Sequence, residues 1–213
     1  MSDKETVIFV PVMLQDEKKV RELSALASAI VKEHYDPLLG SEQNDYMIQM
    51  FQSVPAIKKQ LENGYRYDLV CLRNGKAIGF VGYYPKDADE MYISKFYLHK
   101  DYRGKGISRK MLEFVIGECR KQGLHQITLN VNKYNDAILA YEKLGFTRLR
   151  SEVNEYRTRL CDGRLCLSLQ NFLRRTYVRG RLRNAYYKGS CPRAAEAAFW
   201  YRYDKSFGGA AGG

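Results

Sequence analysis

Hydrophobic residues along the chain follow two spacings, one typical of strands and one typical of helices. The apolar, β-branched run at 6–14 predicts a strand. Through residues 16–34, apolar side chains recur three or four positions apart, which predicts a helix with one buried face. A second helical pattern covers 41–62, and we expect Pro55 to divide it because proline breaks the backbone ladder of a helix.

The middle and later parts of the chain are dominated by strands. Residues 65–98 predict three consecutive strands, with Asn74-Gly75 as a strong hairpin signal between the first two. After them the pattern predicts a helix over 107–122, a strand over 125–131, a helix over 135–144 and a strand over 146–153. The order β-α-α-β-β-β-α-β-α-β predicts an α/β (α+β) fold, with helices packed on a mixed, mostly antiparallel sheet.

Charge divides the chain into two parts. Residues 1–155 carry 23 Lys and Arg against 21 Asp and Glu, a net charge of +2, whereas residues 156–213 carry 12 against 3, a net charge of +9. Arginine outnumbers lysine in the second part, ten to two. We therefore predict a nearly neutral domain over 1–155 followed by an atypical arginine-rich tail over 156–213.

Cysteine content and hydropathy bear on the environment of the protein. The five cysteines form no C-x-x-C pair, so a disulfide framework or a zinc site is poorly supported, and no metal is expected. This favours a reducing cytoplasm. No apolar run approaches the roughly 20 residues that span a bilayer, so no membrane association is expected.

The basic, glycine-containing segment 102–112 lies between a predicted strand and a predicted helix. A helix N-terminus exposes unpaired N–H groups that bind anions, and glycines allow close approach to the backbone. Arg103 and Lys105 would add charged contacts. By itself, the segment is compatible equally with a phosphate-binding turn and with an ordinary loop carrying solvated charges.

The sequence around this segment resembles the acyl-CoA-binding motif of the GNAT superfamily of N-acetyltransferases, [R/Q]-x-x-G-x-[G/A]. Arg103 and Gly106 match it, and Ser108 replaces the usual final Gly or Ala. Downstream, NDAILAYEKLGF at 135–146 resembles the second signature of the family. The resemblance, of the bacterial type, spans about residues 6–155. It implies an enzyme that transfers the acetyl group of acetyl-CoA directly to a primary amine.

The resemblance also implies roles for individual residues. The pyrophosphate of acetyl-CoA would be held by Arg103, Gly104, Lys105, Gly106, Ile107 and Ser108. The pantetheine arm would pair with the backbone of Phe96, Tyr97 and Leu98, where two strands splay apart. Tyr141 matches the tyrosine that protonates the leaving thiolate, although a core role is the alternative. Asn135 matches a cofactor contact but is equally suited to cap a helix.

The general base is the least defined of these roles. Glu90 is the nearest carboxylate, on the strand before the motif, and is the candidate. The acceptor amine stays open among a small molecule, a polyamine-like compound and a protein amine. The oligomeric state is also open, with a homodimer as one option.

The tail gives no alternating pattern where the family has its final strand, so we predict that this strand is missing or replaced. Degenerate codons for residues 156–167, read one base later, permit the family-like strand IGHGFVMDDYV. The tail is therefore interpreted as an out-of-frame, irregular segment. Two alternative functions remain: nucleic-acid binding through the basic tail, which the near-neutral domain makes the weaker choice, and a CoA-binding pseudoenzyme.

Overall fold

The structure is a computed structural model that describes residues 6–132, 134–155 and 161–170. The strands are β1 Val7–Pro11, β2 Arg66–Leu72, β3 Ala77–Pro85, β4 Glu90–Leu98, β5 Gln126–Asn132, β6 Thr147–Glu155 and β7 Cys161–Gln170. The helices are α1 Glu17–Leu39, α2 Ser41–Phe51, α3 Val54–Glu62, α4 Ile107–Lys121 and α5 Ala137–Leu144, with a 3-10 turn at Lys100–Tyr102.

Local signals in the sequence account for where the first helices begin and end. Asp16 caps α1, because its carboxylate accepts a hydrogen bond from the Lys19 N–H at 3.0 Å. The second predicted helix is interrupted before Ser53, which caps α3, and Pro55 occupies the first turn of α3. Proline is tolerated there because the first N–H groups of a helix have no partner within it. The predicted division near Pro55 is confirmed.

The seven strands form one mixed sheet in the order β1-β2-β3-β4-β5-β7-β6. Neighbouring strands are antiparallel except β4 and β5, which are parallel. A parallel pair needs a crossover connection, and α4 supplies it. The predicted α+β class with a mostly antiparallel sheet and flanking helices is confirmed.

Two separate apolar cores stabilise the sheet. One joins α1 and α3 to β2 and β3, with Leu23, Ile57 and Phe80 fully buried. The other joins α4 and α5 to β3, β4, β5 and β7, with Met111 and Ile127 fully buried. β3 contributes residues to both cores, with the neighbours Phe80 and Val81 on opposite sides, so the helices cover the sheet from both faces.

Of the two possibilities predicted for the final strand, that it is missing or that it is replaced, the first is wrong. Residues Cys161–Gln170 form β7, which pairs with β5 on one side and with β6 on the other. Residues 166–169, including the polar Ser168, are buried, so this segment is covered on both faces and lacks the alternation of a half-exposed strand. The predicted irregular structure is therefore wrong for 161–170. The boundary after residue 155 stays a prediction, since 156–160 and 171–213 lie outside the described residues.

Candidate functional site

The parallel strands β4 and β5 separate partway along their length. They pair only over Glu90–Ile93 and Gln126–Leu129, although β4 continues to Leu98. The register between β3 and β4 shifts directly after Ile93, leaving Ser94 as an extra residue. Such a bulge bends a strand. The edge of β4 beyond Ile93 is thus left uncovered by β5, as the splayed strands of the sequence analysis require.

The side chains of Phe96, Tyr97 and Leu98 lie in the two cores. Phe96 packs against the α4 core, and its ring centroid is 6.1 Å from that of Tyr141. Tyr97 stacks on Phe80 at 5.3 Å, and Leu98 is buried. Because their side chains pack in the two cores, these three residues would contact a ligand along this edge through their backbone groups. Their proposed pairing with pantetheine stays a prediction.

The turn after β4 leads into the N-terminus of α4. Arg103 is anchored at the strand end, where its Nε donates to the Leu98 carbonyl at 3.1 Å. Gly104 and Gly106 have φ of +75° and +78°, values that residues with a side chain rarely adopt. Gly106 precedes α4 without a side-chain capping bond, while Ile107 is buried and fixes the helix start. Gly104 and Gly106 have no Cβ, and a Cβ added at either would find no atom within 4 Å. The space in front of the first N–H groups of α4 is therefore open.

Positive charge surrounds this turn. The Lys105 ammonium lies 5.1 Å from the centre of the Tyr102 ring, and Lys76 lies 5.6 Å from the same ring. Ser108, in the first turn of α4, is half-buried. The structure brings the six motif residues together at one helix end, which suits a phosphate group.

Tyr141 lies on α5 beside the divergent part of β4. Its ring contacts Phe96 and, at 5.8 Å, Phe146. Burial raises the pKa of the Tyr141 phenol above its ordinary value, and the nearby Tyr35 acts in the same direction. The hydroxyl therefore keeps its proton at neutral pH. Both roles considered for Tyr141, proton donation and packing, are compatible with this position.

Asn135 caps α5. Its side-chain oxygen accepts a hydrogen bond from the Ala137 N–H at 2.9 Å, whereas Asp136 makes no such capping bond. Its backbone N–H donates to the Asn132 carbonyl at 2.9 Å. Asn135 thus has the predicted role of a helix cap, and its contact with the cofactor stays a prediction.

Glu90 lies at the start of β4, four residues before the bulge and so about 13 Å along the strand from it. Its side chain is only 12% exposed and forms an ion pair with Lys86 at 3.0 Å. The same carboxylate accepts a hydrogen bond from the buried Thr128 hydroxyl at 2.5 Å. A role as general base stays a prediction, and from this position it would require a relay to the open edge.

The end of α1 lies against the 3-10 turn after β4, which the sequence did not indicate. Glu33 forms an ion pair with Lys100 of the 3-10 turn. Burial lowers the pKa of the next residue, His34, and the Arg103 charge adds to this while Asp136 opposes it. The helical periodicity of 16–34 carries no signal for the ion pair between Glu33 and Lys100.

Other possible sites are few in the part of the chain that the structure describes. Its side chains include no group of three or more His, Cys, Asp and Glu arranged to hold a metal. No described helix is long and apolar enough to cross a bilayer. An open depression of about 700 Å³ lies at the α1–α2 turn, lined by Gly40, Ser41, Glu42, Gln43 and Tyr46, none of which belongs to the motifs.

Comparison with known proteins identifies the family. The model described as "Acetyltransferase (GNAT) family" matches residues 28–146, more than half of the chain. The chain belongs to the GNAT family. The match includes the divergent strands, the turn at 103–108 and α5.

Relatives with curated names are similar over part of the chain. The ribosomal protein bS18-alanine N-acetyltransferase of Escherichia coli K12 is 36% identical over 77 residues, which are 36% of this chain and 51% of the relative. N-alpha-acetyltransferase 30 of Schizosaccharomyces pombe is 33% identical over 60 residues, 28% of this chain and 40% of the relative. The chain thus spans about half or less of the length of these relatives.

A solved structure supports the fold over a longer range. PaiA N-acetyltransferase from Thermoplasma acidophilum, crystallised in complex with coenzyme A, superposes with a TM-score of 0.62. The match covers 78% of this chain and 99% of that one at 15% sequence identity. This GNAT chain therefore shares the overall fold of that protein.

Proposed function

We propose that this chain is an acetyl-CoA-dependent N-acetyltransferase acting on a primary amine. The observation that carries the proposal is the part of β4 beyond Ile93 with which β5 does not pair, with the open turn at 103–108 at one end and Tyr141 beside it. Membership of the GNAT family and the coenzyme A complex of a protein with the same fold support it.

The residues of this chain would act mainly by positioning. The N-terminus of α4, with Arg103 and Lys105, would hold the pyrophosphate, and the part of β4 beyond its pairing with β5 would align the pantetheine arm. The neutral acceptor nitrogen attacks the thioester carbon, the carbon–sulfur bond breaks, and Tyr141 gives its proton to the departing sulfur. The nitrogen loses one proton as it becomes an amide, and that proton passes to solvent, from which the tyrosinate is protonated again. Proximity of this kind can supply a large part of the rate enhancement without a covalent enzyme intermediate.

The names of two relatives favour an amino-terminal amine as the first acceptor to test. One acts on the alanine of a ribosomal protein, and the other is an N-alpha-acetyltransferase. A small amine or a polyamine remains the alternative acceptor, because the matches cover only part of each relative.

The test measures release of free thiol from acetyl-CoA by the full chain. The acceptors are an alanine-terminated peptide, the same peptide with a blocked N-terminus, and spermidine. We expect thiol release with an unblocked amine and none with the blocked peptide. Binding of acetyl-CoA without transfer to any amine would indicate a pseudoenzyme, and absence of binding would overturn the proposal.

The charge step, from a net charge of +2 over residues 1–155 to +9 over residues 156–213, favours one alternative function. A segment with a net charge of +9 would attract the phosphates of RNA. Most of that segment lies outside the described residues, and the family match ends before it.

A further inference from the structure

The half of the sheet formed by β4, β5, β7 and β6 has one apolar face and one polar face. Met91, Ile127 and Leu169 belong to the core under α4 and α5. Because successive residues of a strand point to opposite faces, the residues next to them lie on the other face. In register across the four strands, that face carries a row of hydroxyl side chains: Tyr92, Thr128, Ser168 and Thr147.

The acceptor would reach the thioester from this polar face. On the opposite face, packed rings fill the space next to β4, with the centroid of Phe96 6.1 Å from that of Tyr141. The proposed pyrophosphate site follows the C-terminal end of β4, so the pantetheine arm would run back toward Ile93, where the pairing with β5 ends. Thr128 is in register with Tyr92, directly before that point. Thr128 therefore lies at the thioester end of the site, away from the pyrophosphate end.

One carboxylate is held beside this row of hydroxyl groups. Oε1 of Glu90 accepts a hydrogen bond from the Thr128 hydroxyl at 2.5 Å and lies 3.0 Å from the Lys86 ammonium. The backbone N–H of Glu90 donates to the Asp87 carboxylate at 2.8 Å, which fixes the start of the strand. Both side-chain contacts between Glu90 and other described residues are made by Oε1. They orient the carboxylate and leave Oε2 to accept a proton.

We propose that Thr128 is a positioning residue of the transfer: with Lys86, it holds Oε1 of Glu90 so that Oε2 takes the proton of the acceptor ammonium through one or two waters. This inference rests on the proposed function, with Glu90 as the base. The ammonium N–H bond breaks, its electron pair stays on the nitrogen for the new carbon–nitrogen bond, and the proton passes to Oε2 and then to solvent. At about 3.3 Å per residue, the row lies about 7 Å along β4 from Ser94, a gap that bridging waters can span.

The test begins with the hydroxyl of Thr128. Thr128→Val removes it with little change of shape, and Thr128→Ser restores it. Thr147→Val is the matched control, because the Thr147 hydroxyl donates to the Ser168 carbonyl at 3.3 Å and belongs to β6, at the far end of the row from β4. With the alanine-terminated peptide at about pH 6.5, we expect Thr128→Val to lower kcat/KM at least about tenfold, since complete loss of a general base costs about 10²- to 10⁴-fold. Thr128→Ser and Thr147→Val should stay close to wild type.

Measurements at higher pH separate proton removal from packing. A peptide amino terminus has a pKa of about 7.7–8.0, so at about pH 9.5 the acceptor is already neutral and needs no base. The defect of Thr128→Val should therefore nearly vanish there, whereas a packing defect would persist. The other titrating pair next to the start of β4 is His125 with Asp89, 2.6 Å apart, and His125→Gln should keep the wild-type pH profile.

A double-mutant cycle shows whether Thr128 acts through Glu90. Glu90→Gln should lower kcat/KM at about pH 6.5 by about 100-fold or more, and adding Thr128→Val should lower it little further. Lys86→Gln removes the other contact on Oε1 and should show the same pH-dependent defect, so a poorly folded Thr128→Val would not prevent the test. Calorimetry should show unchanged affinity for acetyl-CoA in these variants.

The outcomes distinguish this inference from the proposed function. Additive losses in the cycle, or a defect of Thr128→Val and Lys86→Gln that persists at high pH, would overturn the inference and leave the proposed function intact. Full activity of Glu90→Gln would do the same. An inactive wild type with every acceptor would instead contradict the proposed function.

Discussion

At the scale of single residues, Gly106 and Gly123 form a matched pair at the two ends of α4. Their φ values are +78° and +71°, and a Cβ added at either would meet no atom within 4 Å. Replacing either by alanine should cost a similar backbone strain of about 1–2 kcal/mol. Only the methyl group at 106 would enter the space in front of the helix N-terminus. Comparing the two alanine variants therefore separates the effect of backbone strain from the effect of blocking the ligand.

We expect Gly106→Ala to weaken acetyl-CoA binding at least about tenfold, or 1.4 kcal/mol, and Gly123→Ala to leave it unchanged. Isothermal calorimetry on the two variants measures this difference, and their melting temperatures check that the strain is matched. Equal affinity for acetyl-CoA in both variants would show that the turn at 103–108 is not part of the cofactor site.

Tyr141→Phe tests the role of the hydroxyl alone. The ring contacts to Phe96 and Phe146 can persist in the variant, so packing and acetyl-CoA affinity should change little. Loss of the proton donor should lower kcat by about 10²- to 10⁴-fold. Steady-state kinetics with the best acceptor measures kcat, and an unchanged value would assign Tyr141 to the core only.

Asp68 is a buried carboxylate outside the candidate site, and it links stability to pH. Burial raises its pKa above the ordinary value, against the hydrogen bond that the Tyr83 hydroxyl donates at 2.9 Å. The folded state therefore binds this proton more tightly than the unfolded state. The resulting stabilisation is present below the ordinary pKa of aspartate and is lost as pH rises through the folded-state pKa.

Asp68→Asn keeps an acceptor for Tyr83 and removes the titration. We expect the free energy of unfolding of the variant, minus that of the wild type, to increase as pH rises from 4 to 7.5, because only the wild type loses stability through Asp68. Urea denaturation at several pH values measures this trend. A difference that is constant across this range would show that Asp68 does not titrate differently on folding.

At the scale of elements, the most consequential feature is β7, which joins β5 and β6 into the sheet. Without it, the backbone groups of both strands would lose their partners on that side. Its central residue Leu167 is fully buried, with Leu129 and Arg148 as its partners in register. The segment 161–170 should therefore contribute directly to stability.

We expect Leu167→Ala to lower the free energy of unfolding by about 2–5 kcal/mol, as for other buried leucines. Leu149→Ala on β6 is the control, because that side chain is 47% exposed and its removal should change stability by about 0.5 kcal/mol or less. Chemical denaturation of both variants decides the point. Similar small effects would mean that residues 161–170 do not pack as a strand in solution.

At the scale of the whole molecule, the charge step and the codons at 156–167 bear on the origin of the tail. The presence of β7 removes one of the three reasons for the out-of-frame interpretation, since the final strand is not absent. The charge step and the permitted strand IGHGFVMDDYV in the shifted frame remain. The interpretation therefore stays a hypothesis about residues 156–213.

The source gene tests that hypothesis directly. If the tail is out of frame, the DNA read one base later should encode IGHGFVMDDYV, followed soon by a stop codon. Close relatives should then carry that strand in their own frame. Relatives that carry this same arginine-rich tail in an uninterrupted frame would contradict the hypothesis. They would also strengthen the nucleic-acid alternative, whose binding should weaken steeply between about 50 and 200 mM salt.

The sequence by itself determined the helices, the first six strands, the order of the elements and the turn at 103–108. These depend on local signals: the periodicity of apolar residues, the Asn74-Gly75 hairpin, and glycines at positions that need positive φ. The motifs also placed Tyr141 on a short helix and Asn135 at its N-terminal cap, where the structure has them.

Only the tertiary structure decided the role of β7 and the contact between the end of α1 and the turn after β4. β7 is inserted between two strands and buried on both faces, so its pattern lacks the alternation expected of a half-exposed strand. Glu33 of α1 pairs with Lys100 of the 3-10 turn, which lies far away in the chain. No local pattern encodes such a contact; it exists only once α1 and the β4–α4 turn pack against one sheet.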